Sequence, residues 1–259
     1  MSMRKLPMAV LFQLLFLGAF AKAENREYYQ ITVYHYKSAA QEAVIDNYLK
    51  DALLPALHRT GMHNIGVFKP VANDTATDKI IYVFETIKRP EEVLDIRKKL
   101  DADKDYQMAG KDYIDASYKT PPYVRMENIL LYAFPLAARM EAPRLSSPVS
   151  DKIYELRSYE GPTEKLYRNK VTMFNAGDEV GLFKRLGFNA VFYAEVIAGS
   201  KMPNLMYMTC FENMQQREDH WKAFGDDPQW KKLVAAPEYQ NNVSHADIIL
   251  MKATAYSDF

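Results

Sequence analysis

Three segments of the first half of this chain recur, in order, in the second half. "YYQITVY" (28–34) matches "IYELRSY" (153–159) at an offset of 125, "HRTGMHNIGVF" (58–68) matches "FKRLGFNAVFY" (183–193) at 126, and "KIIYVFE" (79–85) matches "NLMYMTC" (204–210) at 125. Identity is low, but order and spacing are kept, which marks an internal repeat. The repeat constrains the fold strongly. The chain must build one unit twice and bury what each unit alone leaves bare. Between the copies, "FPLAARMEAPRLSSPVS" (134–150) carries Pro135, Pro143, Pro148 and several serines, a linker composition. The resulting division is a first repeat over 24–134, a linker over 135–150 and a second repeat over 151–259.

Each copy reads alike. An alternating strand comes first (28–36; 152–159). A helical stretch follows, and in the first copy Val44, Ile45, Tyr48, Leu49, Ala52, Leu53 and Ala56 form one apolar stripe at helical spacing. Gly61 and Gly187 suit the C-terminal caps, and Gly177 with Gly181 predicts a break in the second copy. Two strands come next (63–69 and 79–86; 188–197 and 204–211). A second helix starts near Pro90, with its counterpart over 213–224, and an apolar strand, "MENILLYAF" or "ADIILMKAT", closes each copy. The order βαββαβ is the ferredoxin-like unit, of α+β class. Its helices cover one sheet face, so the other face needs a partner. The second copy is that partner, giving two repeats packed sheet to sheet as a pseudo-dimeric, eight-stranded α/β barrel.

The first 23 residues read differently. A basic "MSMRK", an apolar run and the small-x-small "AKA" (21–23) make the three-part pattern of a cleavable secretory signal. The expectation is an exported, periplasmic or secreted protein beginning near Glu24, with no membrane span left after cleavage. Cys210 is the single cysteine, so no internal disulfide can form, and its apolar setting "LMYMTCF" reads as core. Lysine plus arginine equal aspartate plus glutamate at 33 each, so no net field argues for nucleic acid.

Period-two alternation puts Tyr154 and Leu156 on one face of their strand and Glu155, Arg157 and Tyr159 on the other. If the apolar pair meets the helices, the polar set faces the inter-sheet space, with its repeat equivalents Gln30, Thr32 and Tyr34. Two readings stand. One is a polar ligand pocket with Arg157 as an anion clamp. The other is a buried ion pair that fixes sheet register.

"YELRSY", then Leu186-Gly187, then "WKAFGDDPQW" (221–230) resembles a NIPSNAP domain, on Tyr154, Glu155, Leu156, Arg157, Tyr159, Trp221, Phe224, Asp227, Pro228 and Trp230. The first copy resembles the family in layout only, with "YQITVY" in place of the YELR-type strand. The resemblance implies a dimeric α/β-barrel fold, a superfamily that includes small mono-oxygenases, haem-binding proteins and isomerases, and it implies no agreed chemistry. Read on their own, Trp221, Phe224 and Trp230 are packing aromatics, and Asp227-Pro228 suits a helix start.

No zinc-like histidine spacing, dinucleotide fingerprint, Walker motif or nucleophile elbow appears. His63 aligns with Asn189 beside the expected pocket, which makes it the candidate ligand for a haem or flavin; no cofactor is otherwise expected. "RKKLDADKDYQMAGKDY" (97–113) reads as a solvated helix face. The leading expectation is a module that binds a small molecule or a protein partner, with further oligomerisation open. The alternatives are a cofactor-independent mono-oxygenase or isomerase, with Tyr34, Tyr159 or His63 relaying protons, and a haem-binding protein.

Overall fold

The computed structural model describes residues 25–259. The signal segment read over 1–23 lies outside the described residues. In the first repeat the strands are β1 (Tyr28–Tyr36), β2 (Gly66–Pro70), β3 (Lys79–Ile87) and β4 (Arg125–Ala133). In the second they are β5 (Ile153–Glu160), β6 (Asn189–Ala198), β7 (Asn204–Phe211) and β8 (His245–Ala253). Each repeat forms a four-stranded antiparallel sheet, and the two join edge to edge through β2–β8 and β4–β6. The result is a closed barrel in the order β1-β3-β2-β8-β5-β7-β6-β4. Closure pairs the edges that each sheet alone would leave bare.

Odd residues of β1 (Tyr29, Ile31, Val33) and even residues of β5 (Tyr154, Leu156) point into the barrel, where they pack with Phe68, Phe84 and Phe192. Linker residues Met140 and Leu145 and the ring of Phe259 pack against this core. The opposite faces carry helices. Over the first sheet lie α1 (Ala39–Asn47), a π-helical turn (Tyr48–Leu53), α2 (Leu54–Arg59), α3 (Glu92–Ala102), α4 (Lys104–Ala109) and α5 (Lys111–Ile114). Over the second lie α6 (Glu164–Asn175), α7 (Glu179–Arg185), α8 (Met214–Asp226) and α9 (Pro228–Ala235). Among the described residues no helix is long and apolar enough to cross a membrane.

Local chemistry explains the main breaks. Gly61 and Gly187 take φ of 88° and 75° at the ends of α2 and α7, a left-handed conformation that glycine adopts without strain. The expected break in the second copy falls at Gly177-Asp178, between α6 and α7, while Gly181 sits within α7. Asp227 caps α9 through the Gln229 N–H at 2.8 Å, ahead of Pro228. Pro55 has no N–H for the helical ladder, and its ring crowds the carbonyl four residues back, so the turn before it widens into the π form.

Candidate functional site

The alternation read from β5 is correct, but the assigned face is inverted. Glu155, Arg157 and Tyr159 do not enter the inter-sheet space; they lie under the helices of the second repeat, while Tyr154 and Leu156 fill the barrel. The barrel interior is the drier side, closed by strands all round. The helix layer instead brings its own long side chains to satisfy charge. Glu155 is 0% exposed, yet its carboxylate accepts from Arg157 Nε at 2.5 Å, Arg217 Nε at 2.7 Å and Trp221 Nε1 at 2.9 Å. The Arg157 guanidinium stacks 3.6 Å from the Trp221 ring centre and donates to the Tyr159 hydroxyl, which meets Tyr207 at 3.0 Å. Beside it, Lys170 and Glu179 pair at 2.9 Å with both side chains buried. Burial raises the Glu179 carboxyl, and Lys170 and Arg157 offset part of the rise. Every charge here has a partner, and the space between sheet and helices is packed with Phe174, Phe183 and Tyr207.

The equivalent space in the first repeat is hollow. A cavity of about 520 Å³ lies between the first sheet and its helices. Gln30, Thr32 and Tyr34 line it from β1, so they too face helices and share no space with Glu155, Arg157 and Tyr159. Gln30 Nε2 and Thr32 Oγ1 donate to Asn128 Oδ1 at 3.3 and 2.9 Å, which leaves the Asn128 N–H donors for another acceptor. Tyr48, placed by the π-helical turn, stacks on Tyr113 with ring centres 3.8 Å apart and meets the Tyr106 hydroxyl at 2.9 Å. Tyr34 meets Tyr113 edge to face and Tyr123 with tilted rings. The segment read as a solvated helix face thus supplies Tyr106 and Tyr113 to the cavity wall.

Glu85, which the sequence reading missed, lies in the floor of this cavity. It is 7% exposed, and it sits opposite Gln30 on the adjacent strand. Its carboxyl is raised from 4.5 to about 7 by burial; it makes no ion pair, and Arg97, which also lines the cavity, does not offset the rise. The contrast with the other repeat is direct. Glu155 is hydrogen-bonded to two guanidinium groups and an indole; Glu85 is bonded to none.

His63 is also displaced from its expected place. It lies in the exposed loop before β2, stacked on His58, and not in a strand beside a pocket. Its expected closeness to a pocket was what recommended it as a haem ligand or proton relay. Cys210 is buried in the barrel, and burial pushes its thiol up to about 12.

Residues 154–258, nearly the whole second repeat, match the NIPSNAP family model, so that repeat is similar to a NIPSNAP domain. Its YELR strand and its W-x-x-F segment meet physically, at the Glu155–Arg157–Trp221 cluster. No curated protein matches the sequence significantly. Among solved structures, a protein from Lactobacillus acidophilus NCFM provisionally named a monooxygenase is 12% identical, with a TM-score of 0.57, and the match covers 88% of this chain and 94% of that one. An anthrone oxidase-like protein is 9% identical, with a TM-score of 0.53, covering 89% and 92%. A provisional monooxygenase from Fusobacterium nucleatum subsp. nucleatum is 4% identical, with a TM-score of 0.54, covering 88% and 92%. These likenesses span both repeats and show the two-repeat α/β-barrel fold.

Proposed function

We propose that this chain binds a planar aromatic ketone or phenol in the first-repeat cavity, and that Glu85 takes a proton from it. The observation that carries the reading is Glu85. A buried carboxyl without a partner is costly, and structural carboxylates avoid that cost by pairing, as Glu155 does. A carboxyl raised to about 7 is divided between its two forms at neutral pH, which suits a general base. The tyrosines supply flat apolar walls for an aromatic ring. Asn128 supplies N–H donors for the oxygen that gains charge as the proton leaves. Proton removal is a first step open to both a cofactor-independent mono-oxygenase and an isomerase, the enzymatic alternatives read from the sequence. In the same proposal the second repeat is the structural half, its charged set an internal ion network. The chain is exported, on the sequence pattern of residues 1–23.

The probe is 2-tetralone, a bicyclic aromatic ketone with an acidic C–H. Deuterium uptake from heavy water, followed by proton NMR, reports proton abstraction. The protein is expected to accelerate uptake saturably, with a rate that rises as pH passes through about 7. Glu85→Gln is expected to lose the acceleration about 100-fold or more. Equal uptake with Glu85→Gln, or no saturable acceleration by the wild-type chain, overturns the reading.

A further inference from the structure

The linker and Phe259 pack at one end of the barrel core, and the other end opens into a second cavity of about 320 Å³. This cavity is separate from the helix-covered space of Glu85. Its floor is apolar, formed by Val33, Ile129, Val196, Met206 and Ile249. Its rim carries the carboxylates Asp78, Glu127 and Asp247. We propose that this barrel mouth is a second ligand site, for a small organic ammonium with a short apolar chain.

Charge, a buried acceptor and shape support this assignment. The rim holds three carboxylates against one lysine and one histidine, so it is negative in either protonation state of the histidine. Lys201 is taken by Asp247 at 2.7 Å. His35 Nδ1 is taken by Asp78 at 2.8 Å, and its Nε2 lies 3.5 Å from Glu127. The three carboxylates act on one spot: the Tyr82 phenol is held above its ordinary value by burial first, then by Asp247, Glu127 and Asp78 in turn. A cation at the mouth meets that field.

The buried acceptor is Asn204. This residue is 2% exposed and lines the cavity; its Nδ2 donates to Ser158 Oγ at 2.8 Å, and its Oδ1 has no donor. A buried polar atom left unpaired is costly; Oδ1 is closed to water, so an incoming ammonium N–H pairs with it once the Asn204 amide turns toward the cavity. The apolar floor accounts for the chain attached to that ammonium.

A metal ion fits the mouth less well. Among the described residues the one group whose ligand atoms converge within 4.8 Å is Glu160, His245 and Asp247, which uses a single rim carboxylate. Lys201 already occupies one oxygen of Asp247. The rim carboxylates are spread around an apolar shaft, an arrangement suited to an extended organic cation.

The test uses the full chain with methyl-labelled methionine and titrates hexylammonium chloride and sodium hexanoate separately in the millimolar range. The Met206 methyl signal, assigned with Met206→Leu, reports occupancy of the floor without disturbing the rim. Hexylammonium is expected to shift that signal saturably, and hexanoate is not. Glu127→Gln, a change at the half-buried rim, is expected to weaken hexylammonium about tenfold, the effect of losing one charge-assisted contact. Met206→Trp, which fills the shaft, is expected to abolish binding. The proposal is overturned if hexanoate binds as well, if hexylammonium binds without moving Met206, or if nothing saturates. The wild-type titration decides these outcomes even if Met206→Trp fails to fold.

Discussion

Glu85→Gln is expected to make the protein more stable at neutral and alkaline pH, and the size follows from the environment of Glu85. In the folded chain the carboxyl holds its proton up to about 7, against an ordinary value of 4.5. The unfolded chain releases the proton first. Stability therefore falls as pH rises between those two values and levels off above the upper one. The full difference corresponds to about 3 kcal/mol. Glutamine has nearly the shape of the protonated acid and never ionises, so it escapes that loss. In a chain of this size the gain corresponds to roughly 6–12 °C in melting temperature. Thermal melts of both proteins near pH 8 and near pH 4 are the assay. The variant should melt higher near pH 8 and equally near pH 4. A gain that is the same at both values, or a less stable variant near pH 8, would mean that Glu85 is paired or solvated and would refute the reasoning.

Glu155→Ala should destabilise by about 3–5 kcal/mol in urea melts, because it strands two guanidinium groups under the helices; Arg157→Met should cost less, since Glu155 keeps Arg217 and Trp221. Lys170→Met should also be costly, and adding Glu179→Gln should recover part of the loss, a coupling that a double-mutant cycle measures. Residues 24–134 alone should dimerise or aggregate in sedimentation runs, since β2 and β4 lose the strands they pair with; a monomer that melts cooperatively would contradict the closed barrel as the folding unit.

The repeat, the βαββαβ order and the strand alternation were legible in the sequence because they depend on local spacing. Which face of β5 turns inward was not. Alternation separates two faces but cannot say which is drier, and the charged face is satisfied by Arg217 and Trp221, more than 60 residues away in the chain. Glu85 was hidden for a related reason. The offset of 125 set it against Cys210, a core residue, whereas strand pairing sets Glu85 opposite Gln30 and Thr209 opposite Glu155. The useful signal was present: Glu85 is a lone carboxylate in phase with Ile81, Val83 and Ile87, the face of β3 that packs under helices. His63 was misplaced because its strand begins three residues later, at Gly66.

The most direct measurement is a carbon-13 NMR titration of the glutamate side-chain carboxyls in the full chain, repeated on Glu85→Gln and in the presence of 2-tetralone. One carboxyl should titrate near 7, vanish in the variant and move when the ketone binds. If every glutamate titrates in the ordinary carboxylate range, or if the group near 7 survives Glu85→Gln and vanishes instead in Glu179→Gln, the first-repeat cavity does not hold a base awaiting a ligand.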